Sequence, residues 1–236
     1  MRAFANEVKF KVSDEQADEI RVWARASLQP DPHGSGEWGD TYRTTTLYLE
    51  TPAFDVYHQR GSNGRAKYRI RRYGDGPVVF VERKLKRRGK VAKRRTLVGA
   101  DGLLRLAHVS RNGHDATGWF TRRLDRRRLS PVCQIGYERM ARTGTTPSGA
   151  IRLTMDRDVR VARARDYVFV DDPGQAVPDL PAVLELKYHG DVPALFLELI
   201  ERFRLAPEAI SKYRLGAATL GLLRPVPVAD PSAGAR

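Results

Sequence analysis

Charged and apolar residues alternate repeatedly along this chain. In residues 6–12, Glu7, Lys9 and Lys11 fall on one face of a predicted strand and Val8, Phe10 and Val12 on the other, because successive strand side chains point to opposite faces. Residues 67–73 repeat the pattern, with Lys67, Arg69 and Arg71 opposite Tyr68 and Ile70. After a Gly- and Pro-containing turn at 74–77, residues 78–84 continue as a second strand. There Glu82, Lys84 and Lys86 lie opposite Val79, Val81 and Leu85. Strands are also predicted over 42–50, 90–98, 131–140, 151–156 and 182–189, with a weak one over 167–170. They place Lys93 with Arg95, Tyr137 with Arg139, Arg152 with Asp156, and Glu185 with Lys187 on single faces. In the Thr-rich 42–50 segment the alternation leaves the buried face open.

Between these strands the period changes. Ser13 with Gln16 forms a capping box that starts a helix, with Ile20, Val22 and Trp23 as its apolar stripe. Helices are predicted over 52–60, over 101–109, over 116–128 with Trp119, Phe120 and Leu124 inward, over 192–203 capped by Asp191, and from Ser211 through Leu223. Residues 29–39 read as a loop. A single domain is expected over 1–224, followed by a disordered tail over 225–236 that is rich in Pro, Ala, Gly and Ser.

Collected by period, the charged faces come from seven strands, and the apolar faces of the same strands have amphipathic helices available to cover them. A sheet of about eight strands can close into a barrel. The expected fold is therefore α+β: a closed antiparallel eight-stranded β-barrel, helices outside and charges within. Composition sharpens this. Among 236 residues, 42 Lys and Arg against 28 Asp and Glu leave a formal net charge of +14, which implies an anionic partner. Two like charges ~4 Å apart repel by about 4 kcal/mol at an effective dielectric of 20, so a narrow basic lumen calls for a polyanion. A chain of phosphates suits it, whereas a duplex does not fit so small a barrel. The basic run Arg122, Arg123, Arg126, Arg127 and Arg128 lacks interleaved aromatics and reads as a solvated helix face, so nucleic acid is not expected as the primary ligand.

The single cysteine, Cys133, rules out an internal disulfide and fits a reducing compartment. The N-terminus has no signal-like apolar run, and no segment approaches the ~20 apolar residues of a membrane span, so a cytoplasmic location is expected. The histidines have no metal-ligand spacing. Lys11 and Lys86 are expected at the tunnel mouths as solvated charges.

The ordered set Glu7-x-Lys9, Lys67-x-Arg69-x-Arg71, Glu82-x-Lys84, Lys93-x-Arg95, Tyr137-x-Arg139, Arg152-x-Thr154-x-Asp156, Glu185-x-Lys187 and Ser211-Lys-Tyr213 resembles the VTC domain, the polyphosphate polymerase module within the triphosphate tunnel (CYTH) superfamily. The resemblance runs from about residue 4 to 224. It implies that Arg69, Arg71, Lys84, Lys93, Arg139, Arg152 and Lys212 contact phosphates, with Lys9, Arg95 and Lys187 as further phosphate-binding groups. Tyr137 would touch the terminal phosphate, and Glu185, with Glu82, would bind Mn2+ or Mg2+. ATP and inorganic polyphosphate are the implied partners. Ala5 stands where the hydrolytic branch carries the first Glu of Glu-x-Glu-x-Lys, which favours a polymerase. A tri- or polyphosphatase, a nucleoside triphosphatase and a non-catalytic polyphosphate-binding module are the alternatives, and the oligomeric state is left open.

Overall fold

The computed structural model describes residues 5–87, 90–99, 102, 103, 106 and 116–223. Its strands are β1 (Ala5–Val12), β2 (Gln29–Pro30), β3 (Thr41–Glu50), β4 (Ala66–Tyr73), β5 (Val79–Arg87), β6 (Lys90–Val98), β7 (Ser130–Thr146), β8 (Gly149–Arg163), β9 (Gln175–Ala176) and β10 (Ala182–Tyr188). The order β7-β3-β4-β5-β6-β1-β10-β8 closes where β8 pairs with β7, which makes an eight-stranded antiparallel barrel as expected. The two-residue β2 and β9 are appended to β7 and β8. The thinnest seam joins β1 to β6, through Ala5 opposite Val91 and Asn6 opposite Lys90.

Helices cover the apolar outer faces. Ser13 and Gln16 form the expected capping box at the start of α1 (Asp14–Ser27). This helix buries Ala17, Ile20, Trp23 and Ala24 in a cluster with Phe10, Val12, Met155 and Leu184. Each large aliphatic or aromatic side chain so buried contributes about 1.5–3 kcal/mol. Val22 is 69% exposed, because two residues past Ile20 on a helix points nearly away from the sheet. Phe120 and Leu124 of α2 (Gly118–Arg127) cover Tyr68 and the β4–β5 side, and Phe196 and Leu199 of α3 (Ala194–Arg202) join the α1 cluster.

The helix from Ser211, α4 (Lys212–Thr219), takes a different position. It starts after Ser211 as expected but ends at Thr219, short of the predicted Leu223; Ser211 caps it by accepting from the Arg214 N–H, and the helix closes one end of the barrel. There the lumen turns apolar, with Ile135 and Val183 on the strand faces that carry Arg139 and Glu185 further along. Gly216 permits the contact, since a Cβ there would stand 3.0 Å from both Ile135 Cδ1 and Val161 Cγ2.

Three predicted elements are corrected. Residues 52–60 form turns rather than a helix, with Phe54 and Gln59 at positive φ. The buried Glu50 carboxylate accepts the N–H groups of Thr51, Val56 and Tyr57 and holds this loop instead. No strand forms at 167–170; the side-chain amide of Gln134 bonds both the N–H and the carbonyl of Val170 and takes the place of a backbone ladder. Asp191 does not cap α3, which begins after Pro193 with no side-chain cap. Most of the predicted 101–109 helix and all of the 225–236 tail lie outside the described residues.

Candidate phosphate tunnel

Two neighbouring spaces occupy the barrel. A wide vestibule of about 630 Å3 is lined by Tyr42, Tyr73, Phe80, Lys93, Arg95, Arg152 and Lys187 among others. Beyond it lies a chamber of about 70 Å3, room for a few waters or one phosphoryl group given the ~30 Å3 share of a liquid water. Its walls are Lys9, Lys67, Arg69, Arg71, Lys84, Arg139, Glu185, Lys187 and Lys212, with Tyr48, Tyr137, Ser211 and Tyr213. Lys187 borders both spaces. Thus Lys9, Arg69, Arg71, Lys84, Tyr137, Arg139, Glu185, Lys187 and Lys212 come together, while Lys93, Arg95 and Arg152 stand at the vestibule. Glu82 lines neither space and lies fully buried behind Arg69. Lys11 and Lys86 are exposed.

Strand register sets the electrostatics. Arg139 on β7 sits opposite Asp156 on β8, and its fork grips that carboxylate at 2.5 and 2.7 Å while Lys212 from α4 adds 2.7 Å. Across the β4–β5 hairpin Arg69 reaches Glu82 at 2.7 Å. Glu7 receives Lys84 at 2.6 Å, and Glu185 receives Lys187 at 2.5 Å. Lys9 stands between the two, 3.8 Å from Glu7 and 3.4 Å from Glu185. Arg152 faces Asp31 at 2.8 Å and the Tyr42 hydroxyl at 2.8 Å. Burial opposes charge on Asp156, Glu82 and Glu185, but the adjoining cations outweigh it and hold all three carboxyls well below the usual range.

Among the described residues, two chamber cations have no carboxylate partner within 4 Å. Arg71 is held by neutral groups, donating to Thr46 Oγ1 at 3.0 Å and to the Tyr137 hydroxyl at 3.1 Å. Lys67 donates to Ser211 Oγ at 2.7 Å. A cation drawn out of water without a counter-charge is costly, so the buried Arg71 and the half-buried Lys67 are the chamber groups best placed to take up an anion. Burial, then repulsion from Lys9, Arg69 and Arg214, pushes Lys67 down to about 7. Period-two alternation put Lys67 on the charged face with Arg69; nothing in the sequence showed that it alone among the chamber lysines would lack a carboxylate.

Two consequences follow for Lys67. In the ligand-free protein the unfolded chain holds this proton between pH ~7 and ~10.4 and the folded chain does not, so this group makes stability rise across that window. An anion bound beside it, for which tripolyphosphate serves as a probe, would restore the charge. Calorimetry in buffers of different ionisation enthalpy should therefore show proton uptake near pH 7–8, and affinity should fall as pH rises through it. Lys67→Met should reduce the uptake; equal uptake in parent and variant would remove Lys67 from the anion site.

Divalent metal fits in one mode. Among the described residues no group of three or more His, Cys, Asp or Glu could hold an ion unaided. Glu7 and Glu185 both face the Lys9 ammonium, however, and Glu7 Oε2 is buried without a hydrogen-bond donor. Mg2+ is commonly held by one or two carboxylates together with substrate phosphates, which this pair can provide. Cys133 is fully buried and its thiol is pushed up to about 12, so it offers no nucleophile.

An antiparallel barrel with a lumen of forked and point cations defines a triphosphate tunnel protein. The sequence profile of the VTC domain matches residues 4–221, and the chain belongs to that family. Solved structures agree in fold. A proposed adenylate cyclase from Bacillus halodurans superposes with a TM-score of 0.53 at 14% identity, covering 89% of this chain and 95% of that one. A proposed adenylyl cyclase from Hippeastrum, reported to have a dominant triphosphatase activity, gives 0.53 at 13% identity over 91% and 96%. A protein from Pyrococcus horikoshii gives 0.51 at 14% over 93% and 99%. A comparison with curated proteins found no significant match. Among the described residues no helix is long and apolar enough to cross a membrane.

Proposed function

We propose that this tunnel domain, read as residues 1–224, is a metal-dependent polyphosphate polymerase that transfers the γ-phosphate of ATP to a growing inorganic polyphosphate chain. One observation carries the choice of reaction. Glu185 in the chamber, and Asp156 and Glu82 buried behind its arginines, are all held well below the usual range by cations, which makes them poor general bases for activating water. A chain-end phosphate needs no base, because its attacking oxygen is already ionised. That oxygen bonds to the γ-phosphorus, the bond to the β,γ-bridging oxygen breaks, and ADP leaves.

Catalysis then rests on position and charge. Arg69, Arg71 and Arg139 present forked donors to phosphate oxygens, Lys9, Lys67, Lys84 and Lys212 add point charges, and the Tyr137 hydroxyl fixes the Arg71 fork. Lys93, Arg95, Arg152 and Lys187 guide the triphosphate in from the vestibule. Glu185 with Glu7 would hold Mn2+ or Mg2+, whose charge would offset that of phosphate oxygens in the chamber. Lys9, Lys84 and Lys187, which hold Glu7 and Glu185 in this structure, would turn to phosphate oxygens and leave the two carboxylates available to the ion.

Incubation with ATP and manganese should yield acid-insoluble polymer. Release of ADP and orthophosphate alone would refute polymerisation and leave hydrolysis, the activity reported for the Hippeastrum protein, as the working reading.

A further inference from the structure

Outside the barrel, α2 and its C-terminal turn carry Arg122, Arg123, Arg126, Arg127 and Arg128, and among the described residues none of them forms an ion pair. Arg127 is the engaged member, donating to Asn63 Oδ1 and lying 5.9 Å over the Tyr68 ring. Cations in the last helical turn are favoured by the helix dipole, which accounts for Arg126 and Arg127 as single charges. It does not account for a groove. A space of about 540 Å3 runs between Arg123, Arg126 and Arg128 on one wall and Thr51, Ser62 and Asn63 on the other. The carboxylate in its lining, Asp55, is already held by Arg60 at 3.6 Å and by the Thr51 hydroxyl at 2.8 Å.

The place of this groove matters as much as its charge. The 51–57 loop that forms its floor is tied to Glu50, and Glu50 also accepts the hydroxyl of Tyr213, which walls the closed end of the chamber. Groove and closed end are thus two sides of one loop. The chamber and vestibule, about 70 and 630 Å3, hold only a short run of phosphates, so most of any long chain must lie outside them. We propose that the α2 groove is a second, external binding site for inorganic polyphosphate. The choice of anion rests on the proposed function; the site itself rests on the unpaired arginines. Planar guanidinium forks match phosphate oxygens, and no aromatic side chain lines the groove to stack a base, which separates it from a single-stranded nucleic-acid site.

The test measures equilibrium binding to the full chain without ATP or metal, so a protein that fails to polymerise still reports on the groove. The triple variant Arg123→Gln, Arg126→Gln, Arg128→Gln should bind long-chain polyphosphate at least tenfold more weakly. Its salt dependence should be shallower by about 2 in log–log slope, at ~0.7 per lost contact. Its thermal shift with tripolyphosphate, which reports on the tunnel, should be unchanged. Unaltered affinity for the long chain overturns the proposal. So does a parent protein in which single-stranded DNA of equal charge displaces long-chain polyphosphate at equal concentration, since that describes an unselective basic surface. The single variant Arg126→Gln, at an exposed position, should show a proportionate loss in the same two measurements.

Discussion

Arg71→Ala is expected to lower ATP-dependent polymer synthesis by about 10²–10³-fold, the range seen when one preorganised donor to a developing oxyanion is removed. Its melting temperature should stay within a few degrees of the parent's. The two halves of this result have one cause. Arg71 is 4% exposed and its fork is held by the Thr46 and Tyr137 hydroxyls with no carboxylate at ion-pair distance. Removing it strands no buried charge, and it relieves repulsion with Arg69. Initial-rate measurement alongside thermal unfolding tests both halves. Full activity with an intact fold would take Arg71 out of the phosphate site, and a collapse in stability would mean that its role is structural.

Arg139→Ala should behave in the opposite manner. Its guanidinium grips a fully buried Asp156 at two points, and its loss leaves that carboxylate with Lys212 alone. Breaking one side of a buried pair costs about 3–5 kcal/mol. At roughly 2–4 °C per kcal/mol for a chain of this size, the melting temperature should drop by about 6–20 °C. Adding Asp156→Asn to Arg139→Ala should recover part of the loss, because the uncompensated charge is gone. If the double variant melts no higher than Arg139→Ala, the ion-pair account is wrong. Activity lost in Arg139→Ala is therefore ambiguous between chemistry and fold, and the same holds for Arg69 beside Glu82.

Strand alternation made most of the lumen legible before any coordinates. A period of two is local: the separation of Lys9, Arg69, Lys84, Arg139 and Glu185 from the apolar face of each one's own strand depends only on that strand's residues. The apolar counter-face and amphipathic helices then required the charges to point inward. The capping pair of Ser13 and Gln16 was legible for the same reason, since a cap involves residues three apart. Prediction failed where a buried side chain took over the backbone partners that a helix or strand would have supplied. Glu50 gathers the 51–57 backbone into turns, and the Gln134 amide takes the place of a strand partner for Val170.

The sequence by itself determined that this chain builds a barrel with a basic interior, because side-chain alternation and helix amphipathicity are properties of each segment alone. Only the tertiary structure decided which charges are spent on one another. Register across β7–β8 and β4–β5 assigns Asp156 to Arg139 and Glu82 to Arg69, and the packing of Gly216 against Ile135 and Val161 brings α4 into the barrel end and Lys212 to Asp156. What remains, Arg71 and Lys67 without a carboxylate in a small chamber, is a sum over strands far apart in the chain.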